Sequence, residues 1–313
     1  MATTIHSVSF QENKVSWIQA SVSEKSIVVQ RAVESLLPLV INFENIGKPT
    51  IPIQTANHLK SLIKYHDMTL GDEVRFLIPA KFSLVKKILV DTFLTGEDRQ
   101  QFAVSEFYQS VIGGENGYDV YLPDYEHRKN GYSEILSVGI RRELTAFMKE
   151  LAQKAGLSLS QLNISCFTID SFYRKMYPND LGQTLLVNFT ERGYEMTISD
   201  DKDFLDCTFR PYSKSMESIE QLDDEEVLSD FDRVLEDIQK AAPGDTPSFS
   251  FAQIYLYGAY FKSQWIEILE AQTGIPLGIL NPFQSAESFF ASEDPSLNPD
   301  EAYRFVEPLS NLL

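Results

Sequence analysis

The stretch from Ser250 to Phe283, SFAQIYLYGAYFKSQWIEILEAQTGIPLGILNPF, constrains the fold more than any other. Ala252 to Tyr257 is apolar or aromatic at nearly every position and is followed at once by Gly258, which suits a strand buried on both faces that ends in a tight turn. Phe261, Trp265, Ile268 and Leu269 then recur at helical spacing, Gly274 is placed as a helix stop, and Pro276 follows it. Ile275 to Leu280 is a second short apolar run, closed by the turn signal Asn281-Pro282. Two apolar strands joined by a helix form a βαβ-like unit, and such units need a mostly parallel sheet covered on both faces.

The remaining 279 or so residues, roughly enough for a second lobe, bring further sheets. Lys14 to Val22 alternates, Ser23-Glu24-Lys25 reads as a turn, and Ser26 to Ala32 as the return strand, so this segment is a predicted β-hairpin. Val33 to Phe43 reads as a third strand with Pro38 at a bulge or edge, Asn57 to Tyr65 as a helix capped by Asn57, and Glu73 to Ile78 as a short strand. Pro79 to Phe93 carries Phe82, Val85, Ile88 and Leu89 at helical spacing. Phe102 to Ile112 and Tyr118 to Leu122 flank Gly113-Gly114-Glu115-Asn116-Gly117 and read as a hairpin, and Val138 to Ala155 as an amphipathic helix stopped by Gly156. Phe82 to Gln161 therefore reads as an α+β subdomain inserted into a first lobe. Leu162 to Phe167 returns to strand and Thr168 to Met176 to helix.

Pro178 to Gly182 reads as a hinge. Beyond it, Thr184 to Phe189, Tyr194 to Ser199 and Phe204 to Phe209 are three strands linked by turns, an echo of Lys14 to Ala32 that suggests duplicated halves. Glu217 to Lys240 is an acidic amphipathic helix whose carboxylates form a solvated face, ended by Ala241-Ala242-Pro243-Gly244. After the polar loop from Ser285 to Pro299, Asp300 to Val306 reads as a last helix. The division expected is a first lobe over 1–177, with the insertion at about 82–161, and a second lobe over 178–313 whose C-terminal segment returns to the first.

Net charge is -18 and basic residues nowhere gather, which disfavours nucleic acid and anionic lipid as partners. No apolar run is long enough to span a bilayer, the N-terminus lacks a signal-peptide pattern, and the default location is the cytoplasm. Cys166 and Cys207 read as buried thiols, with a regulatory pair as the alternative. The four histidines, His6, His58, His66 and His127, are dispersed, and only His58 and His66 share a predicted helix face, so no metal-ligand spacing emerges. Neither a GxxxxGK[ST] phosphate loop nor a GxSxG elbow occurs.

Two hairpin-led halves, an inserted α+β piece and a late glycine-turn-helix unit together resemble the actin-like ATPase superfamily. That resemblance implies an α/β, bilobal, ribonuclease H-like fold with an inserted α+β subdomain in the first lobe. The insertion is similar to the one carried by FtsA- and PilM-type proteins. PilM-type phrases are matched by Leu186-Val187-Asn188-Phe189-Thr190, where that family reads roughly vDIG, and by Gly274-Ile275-Pro276 with Asn281-Pro282-Phe283. The chain is also similar to uncharacterised Bacteroidetes proteins described as actin-like.

In that superfamily each hairpin carries an Asp followed two residues later by Gly, to hold the nucleotide's cation and admit its phosphates. The resemblance places these positions at Ser21 and Ser23 in the first hairpin and at Asn188 and Thr190 in the second, with the late Gly-Gly at Gly258-Ala259. Each position also has a plain structural reading: Ser21 and Asn188 as hydrogen-bonded strand ends, Gly258 as a packing glycine. With both acids and both glycines replaced, the expectation is a catalytically degenerate scaffold with no cofactor. Its partner would be a protein or peptide, as PilM-like proteins take the cytoplasmic tail of an inner-membrane protein. The alternative is an ATPase or small-molecule kinase that binds ATP and Mg²⁺ through other acids, such as Glu24 or Glu191; filament assembly is a third reading.

Overall fold

A computed structural model describes residues 2–68, 73–123, 125–129, 131–214, 218–240, 249–284 and 289–313. The expected helix stop at Ala241–Gly244, the start of the Ser285–Pro299 loop and the His127 side chain lie outside the described residues.

The first lobe is organised on strands β1 (Thr3–Phe10), β2 (Lys14–Val22) and β3 (Ile27–Leu36), followed by helix α1 (Thr50–Tyr65) and β4 (Glu73–Ile78). Next come β5 (Ser83–Asp91), α2 (Gly96–Gln109), the short turn α3 (Gly114–Gly117), β6 (Tyr118–Tyr121), β7 (Glu126–Lys129) and β8 (Tyr132–Arg141). Helix α4 (Arg142–Ala155), strand β9 (Leu159–Ile164) and helix α5 (Ser165–Met176) complete this part of the chain. The second lobe contains β10 (Gln183–Phe189), β11 (Gly193–Ser199), β12 (Phe204–Pro211), α6 (Asp224–Gln239), β13 (Phe251–Tyr257), α7 (Trp265–Thr273) and β14 (Leu277–Ile279). The chain then forms β15 (Phe290–Ser292), a 3-10 segment over Pro299–Phe305, and the five-residue helix α8 (Val306–Ser310).

Two sheets share one topology. The first runs β15-β3-β2-β1-β4-β9 and the second β12-β11-β10-β13-β14. In each, a three-strand antiparallel meander is extended by two parallel strands beyond its first member. The duplication expected from the sequence is present, but one strand out of step. The partner of β10–β11 is β1–β2, not the hairpin at Lys14 to Ala32. Strand β1 carries His6, Ser7 and Ser9 in a fully buried run, so it shows little of the apolar signal by which strands are found. Its polar atoms are met inside the protein: Trp17 Nε1 donates to His6 Nδ1 at 3.0 Å, and Asn311 Nδ2 donates to Ser7 Oγ at 3.0 Å.

The C-terminal segment returns to the first lobe. β15 pairs in parallel with β3, and α8 packs against α5, β1 and β2. Among the described residues three large apolar cores follow from this arrangement, with a small fourth around Val90, Ala103 and Ile135 in the inserted part. One lies under α1 and α4 around Trp17 and Phe76, one links α5 and α8 to the first sheet, and one lies under α6 and α7 around Phe189, Phe231 and Trp265.

Several boundaries differ from those expected. β3 runs unbroken from Ile27 to Leu36, so Val33 begins no new strand. Helix α1 begins at Thr50 and buries Ile51 and Ala56 ahead of Leu59 and Leu62, so Asn57 lies inside it and caps nothing. Residues 83–91 are a strand paired along its whole length with β8, although Val85, Ile88 and Leu89 also satisfy a helical spacing. Residues 96–109 are a helix with Glu97 and Asp98 in its first turn and Ala103 and Phe107 buried one turn apart, not a hairpin arm. Val138 to Arg141 belongs to β8, and the predicted helix starts only at Arg142. The final helical segment is a 3-10 run to Phe305, after which α8 continues through Pro308. The late unit has the expected form: β13 and β14 are parallel, α7 lies between them, and Gly274 ends α7 in the left-handed conformation.

Candidate functional site

The equivalent turns of the two sheets, Gln11–Asn13 after β1 and Thr190–Arg192 after β10, face one another across the junction of the lobes, with Lys81 and Glu195 beside them. Ser9 and Asn188 occupy matching places, each the penultimate residue of its strand. Both donate to a single carboxylate, that of Glu307 on α8: Ser9 Oγ at 2.6 Å and Asn188 Nδ2 at 2.8 Å, with Gln11 Nε2 at 3.3 Å. Glu307 is 4% exposed. A buried carboxylate is tolerated only when hydrogen-bonded, and these three donors come from both lobes.

A second acid, Glu195 on β11, is also 4% exposed. Ser165 Oγ and the Lys81 backbone N–H each donate to it at 3.4 Å. Burial, followed by the neighbouring Glu307 charge, pushes its carboxyl up to about 7, against the pull of Lys81. Burial also raises Glu307, opposed by the donors from Ser9, Gln11 and Asn188. Glu191, in the second turn, is raised by burial as well, with Arg192 acting against it. Lys81 Nζ pairs with Glu12 at 2.9 Å and lies 4.7 Å from the centroid of the Phe209 ring.

Gly258 follows β13 with φ at +105°, and a Cβ there would overlap Asn188 Oδ1. The glycine therefore admits the Asn188 side chain against the backbone, and its N–H donates to Tyr303 O at 3.0 Å. Ala259 lies in the turn that follows. Thr190 closes its own turn, its Oγ1 donating to Gly193 O at 2.8 Å.

Of the residues expected to mark the cleft, Asn188, Thr190, Gly258 and Ala259 are at the lobe junction or next to it. Ser21 and Ser23 are not. Ser21 pairs with Thr4 and Val28 near the far end of β2, and Ser23 closes the β2–β3 turn by accepting from the Ser26 N–H at 3.1 Å. Seven residues of strand separate Ser21 from Lys14, roughly 23 Å. The first-lobe residues at the junction are Ser9 and Gln11, displaced from the expected pair by the one-strand offset. Glu24 shares the distant turn with Ser23 and cannot meet Glu191 there. Glu307 escaped sequence reasoning altogether; the signal that could have found it is a lone acid inside the apolar run FVEPL.

The free space where the two turns meet is about 10 Å³, room for about one water molecule. Among the described residues no group of three or more His, Cys, Asp or Glu is placed to hold a metal ion. Glu12, Glu191 and Glu195 line the space there is. In this arrangement the residues lining the cleft do not fit a magnesium nucleotide.

A larger groove of about 480 Å³ lies between the edge strand β9 of the first sheet, the inserted strands β6 and β8, and α5. Leu162, Phe167, Val138 and Ile140 give it an apolar wall, and Arg75, Asn163 and Asn311 a polar one. Asn163 Nδ2 donates to Asn311 Oδ1 at 2.7 Å and Arg75 Nη1 to Asn311 O at 3.1 Å, so the polar wall is held from α8's end. Among the described residues, no helix is long and apolar enough to cross a membrane.

No family model matches the chain, and no curated protein matches it. Among solved structures, a chain of the PilM-PilN type IV pilus biogenesis complex superposes with a TM-score of 0.75 at 13% identity, covering 99% of this chain and 98% of that one. A Bacteroides thetaiotaomicron protein with an actin-like ATPase fold and unknown function has a TM-score of 0.49 at 10% identity, covering 91% and 93%. The cytoplasmic domain of EpsL from the Vibrio cholerae type II secretion system has a TM-score of 0.49 at 9% identity, covering 97% and 94%. The shared sheet order, the lobe junction and the full-length superposition on the PilM-PilN chain agree: this protein has the bilobal actin-like ATPase fold.

Proposed function

We propose that this protein is a catalytically degenerate actin-like scaffold that binds a protein partner instead of hydrolysing ATP. The observation that carries the reading is the Glu307 carboxylate, bonded by Ser9 from one lobe and Asn188 from the other where the lobes meet. A carboxylate of the chain itself there repels a triphosphate, and the remaining cavity is far below the few hundred Å³ that ligand pockets ordinarily offer. The groove beside β9 supports the second half of the reading. It has the volume of a ligand site, and an edge strand along it offers main-chain groups to an extended peptide. The occupant proposed is an extended segment of a protein partner, such as the cytoplasmic tail of a membrane protein; the PilM-PilN structure that shares the fold is a complex of two proteins.

Two measurements test this. Isothermal titration with Mg-ATP should give no binding below millimolar concentration, and single-turnover assays no hydrolysis. Sub-millimolar binding with turnover would replace the scaffold with an enzyme. Selection from a random peptide display library should enrich extended peptides whose binding is lost in Ser171→Trp, which fills the groove from an exposed position on α5. Enriched peptides that bind the variant as well as the wild type would remove the groove from the proposal.

A further inference from the structure

We propose that Cys166 and Cys207 form a reversible disulfide that clamps the two lobes together, with a small-molecule disulfide such as oxidised glutathione as oxidant. They are the chain's two cysteines and lie on different lobes: Cys166 in the first turn of α5, Cys207 on β12, the edge strand of the second sheet. Cys207 packs against the apolar cluster that contains Cys166, and its thiol is one of the groups that act on the Cys166 thiol.

The backbone on either side is held in place. Phe167, next to Cys166, has its ring 4.9 Å from that of Phe204 on β12. Ser165, on the other side, donates to Glu195 on β11. Farther along α5, Arg174 donates to Lys202 O at 2.9 Å, and Asp170 accepts from Ser199 Oγ. With the backbone held on both sides in this way, closing the bond calls for side-chain rotation, the condition under which a disulfide forms without strain.

The thiols differ in a way that orders the chemistry. Cys166 is buried, and burial raises its thiol well above the ordinary range; Cys207 is half-buried. The Cys207 thiolate therefore attacks a sulfur of oxidised glutathione first, breaking its S–S bond, releasing one glutathione thiolate and leaving a mixed disulfide on Cys207. Cys166 then gives up its proton to solvent and attacks the Cys207 sulfur, expelling the second glutathione thiolate. Two cysteine thiols are oxidised to one disulfide, and one glutathione disulfide is reduced to two thiols. In a reducing compartment such a bond is transient, the form that redox-sensing disulfides take.

The test uses the full chain treated with oxidised glutathione under native conditions. The expected product has lost two hydrogens in intact mass and yields one peptide pair linked through Cys166 and Cys207. Its melting temperature rises by about 5 °C, and dithiothreitol reverses the change. Cys166→Ser and Cys207→Ser abolish both effects. Amide exchange should slow in the Thr190–Gly193 turn and in α8, because both lie at the junction the bond ties. A stable glutathione adduct on Cys207 with Cys166 still free would overturn the proposal. So would native thiols that resist oxidation, or a bridge that leaves melting and exchange unchanged.

Discussion

Replacing Glu195 with Gln removes one of the two acids at the lobe junction while keeping its volume. The Glu195 carboxyl titrates at about 7 in the folded protein, against 4.5 for the free side chain. A folded-state pKa raised above the unfolded one means that the folded state holds the proton more tightly. The associated stability is fully present below about pH 4.5 and is lost as pH rises through 7. At ~1.4 kcal/mol per pKa unit, that loss amounts to about 3 kcal/mol between pH 4.5 and pH 8. The cause is burial, followed by the charge of Glu307; the Lys81 charge and the two donors, the Lys81 N–H and Ser165 Oγ at 3.4 Å each, act against it. Urea unfolding followed by tryptophan fluorescence suits the measurement, because Trp17 and Trp265 report from different cores. Between pH 5 and pH 8 the wild type should lose about 2.5 kcal/mol more stability than Glu195→Gln, most of it between pH 5 and pH 7. Because Glu307 is raised as well, the pair should titrate in two steps. Parallel profiles for the two proteins would refute the argument, since they would mean that Glu195 is solvated or already compensated.

Glu307→Ala leaves the Ser9, Gln11 and Asn188 donors without their acceptor and should cost about 3 kcal/mol in chemical denaturation, with Glu307→Gln losing less. Gly258→Ala forces a side chain into the left-handed region and onto Asn188 Oδ1, and should cost about 2–4 kcal/mol or shift the turn visibly in a crystal structure. Asp223→Ala removes the side-chain acceptor for the Glu226 N–H at the start of α6 and should lower stability by about 1 kcal/mol, with amide exchange quickening at that end of the helix alone.

The second sheet was legible because β10 and β13 are near-continuous apolar runs, β11 alternates through Tyr194, Met196 and Ile198, and the strands are bounded by glycine or polar turns. The first sheet was read one strand late because His6, Ser7 and Ser9 make β1 look like a loop, and their partners lie on other elements: Trp17 on the next strand, Asn311 and Glu307 at the far end of the chain. That one error moved the expected first-lobe site from Ser9 and Gln11 to Ser21 and Ser23. The inserted sheet was misread for another reason. In residues 83–91 only Val90 is fully buried, so the half-exposed strand carries too little contrast to choose between periods of 2 and 3.6. For Glu307 the one local sign is an acid inside the apolar run FVEPL; its role depends on two turns that only tertiary structure brings together.

The five residues of α8 touch two places at once. Glu307 is bonded to both lobes, while one turn later Asn311 is tied to Ser7, Arg75 and Asn163 at the wall of the groove. So short a segment has no slack: Asn311 N–H donates to Glu307 O, and Ser310 Oγ does the same at 2.7 Å. A molecule wedged against Asn311 thus pulls on the fastening between the lobes, and loosening that fastening reshapes the groove in return, by the reciprocity that any such linkage obeys.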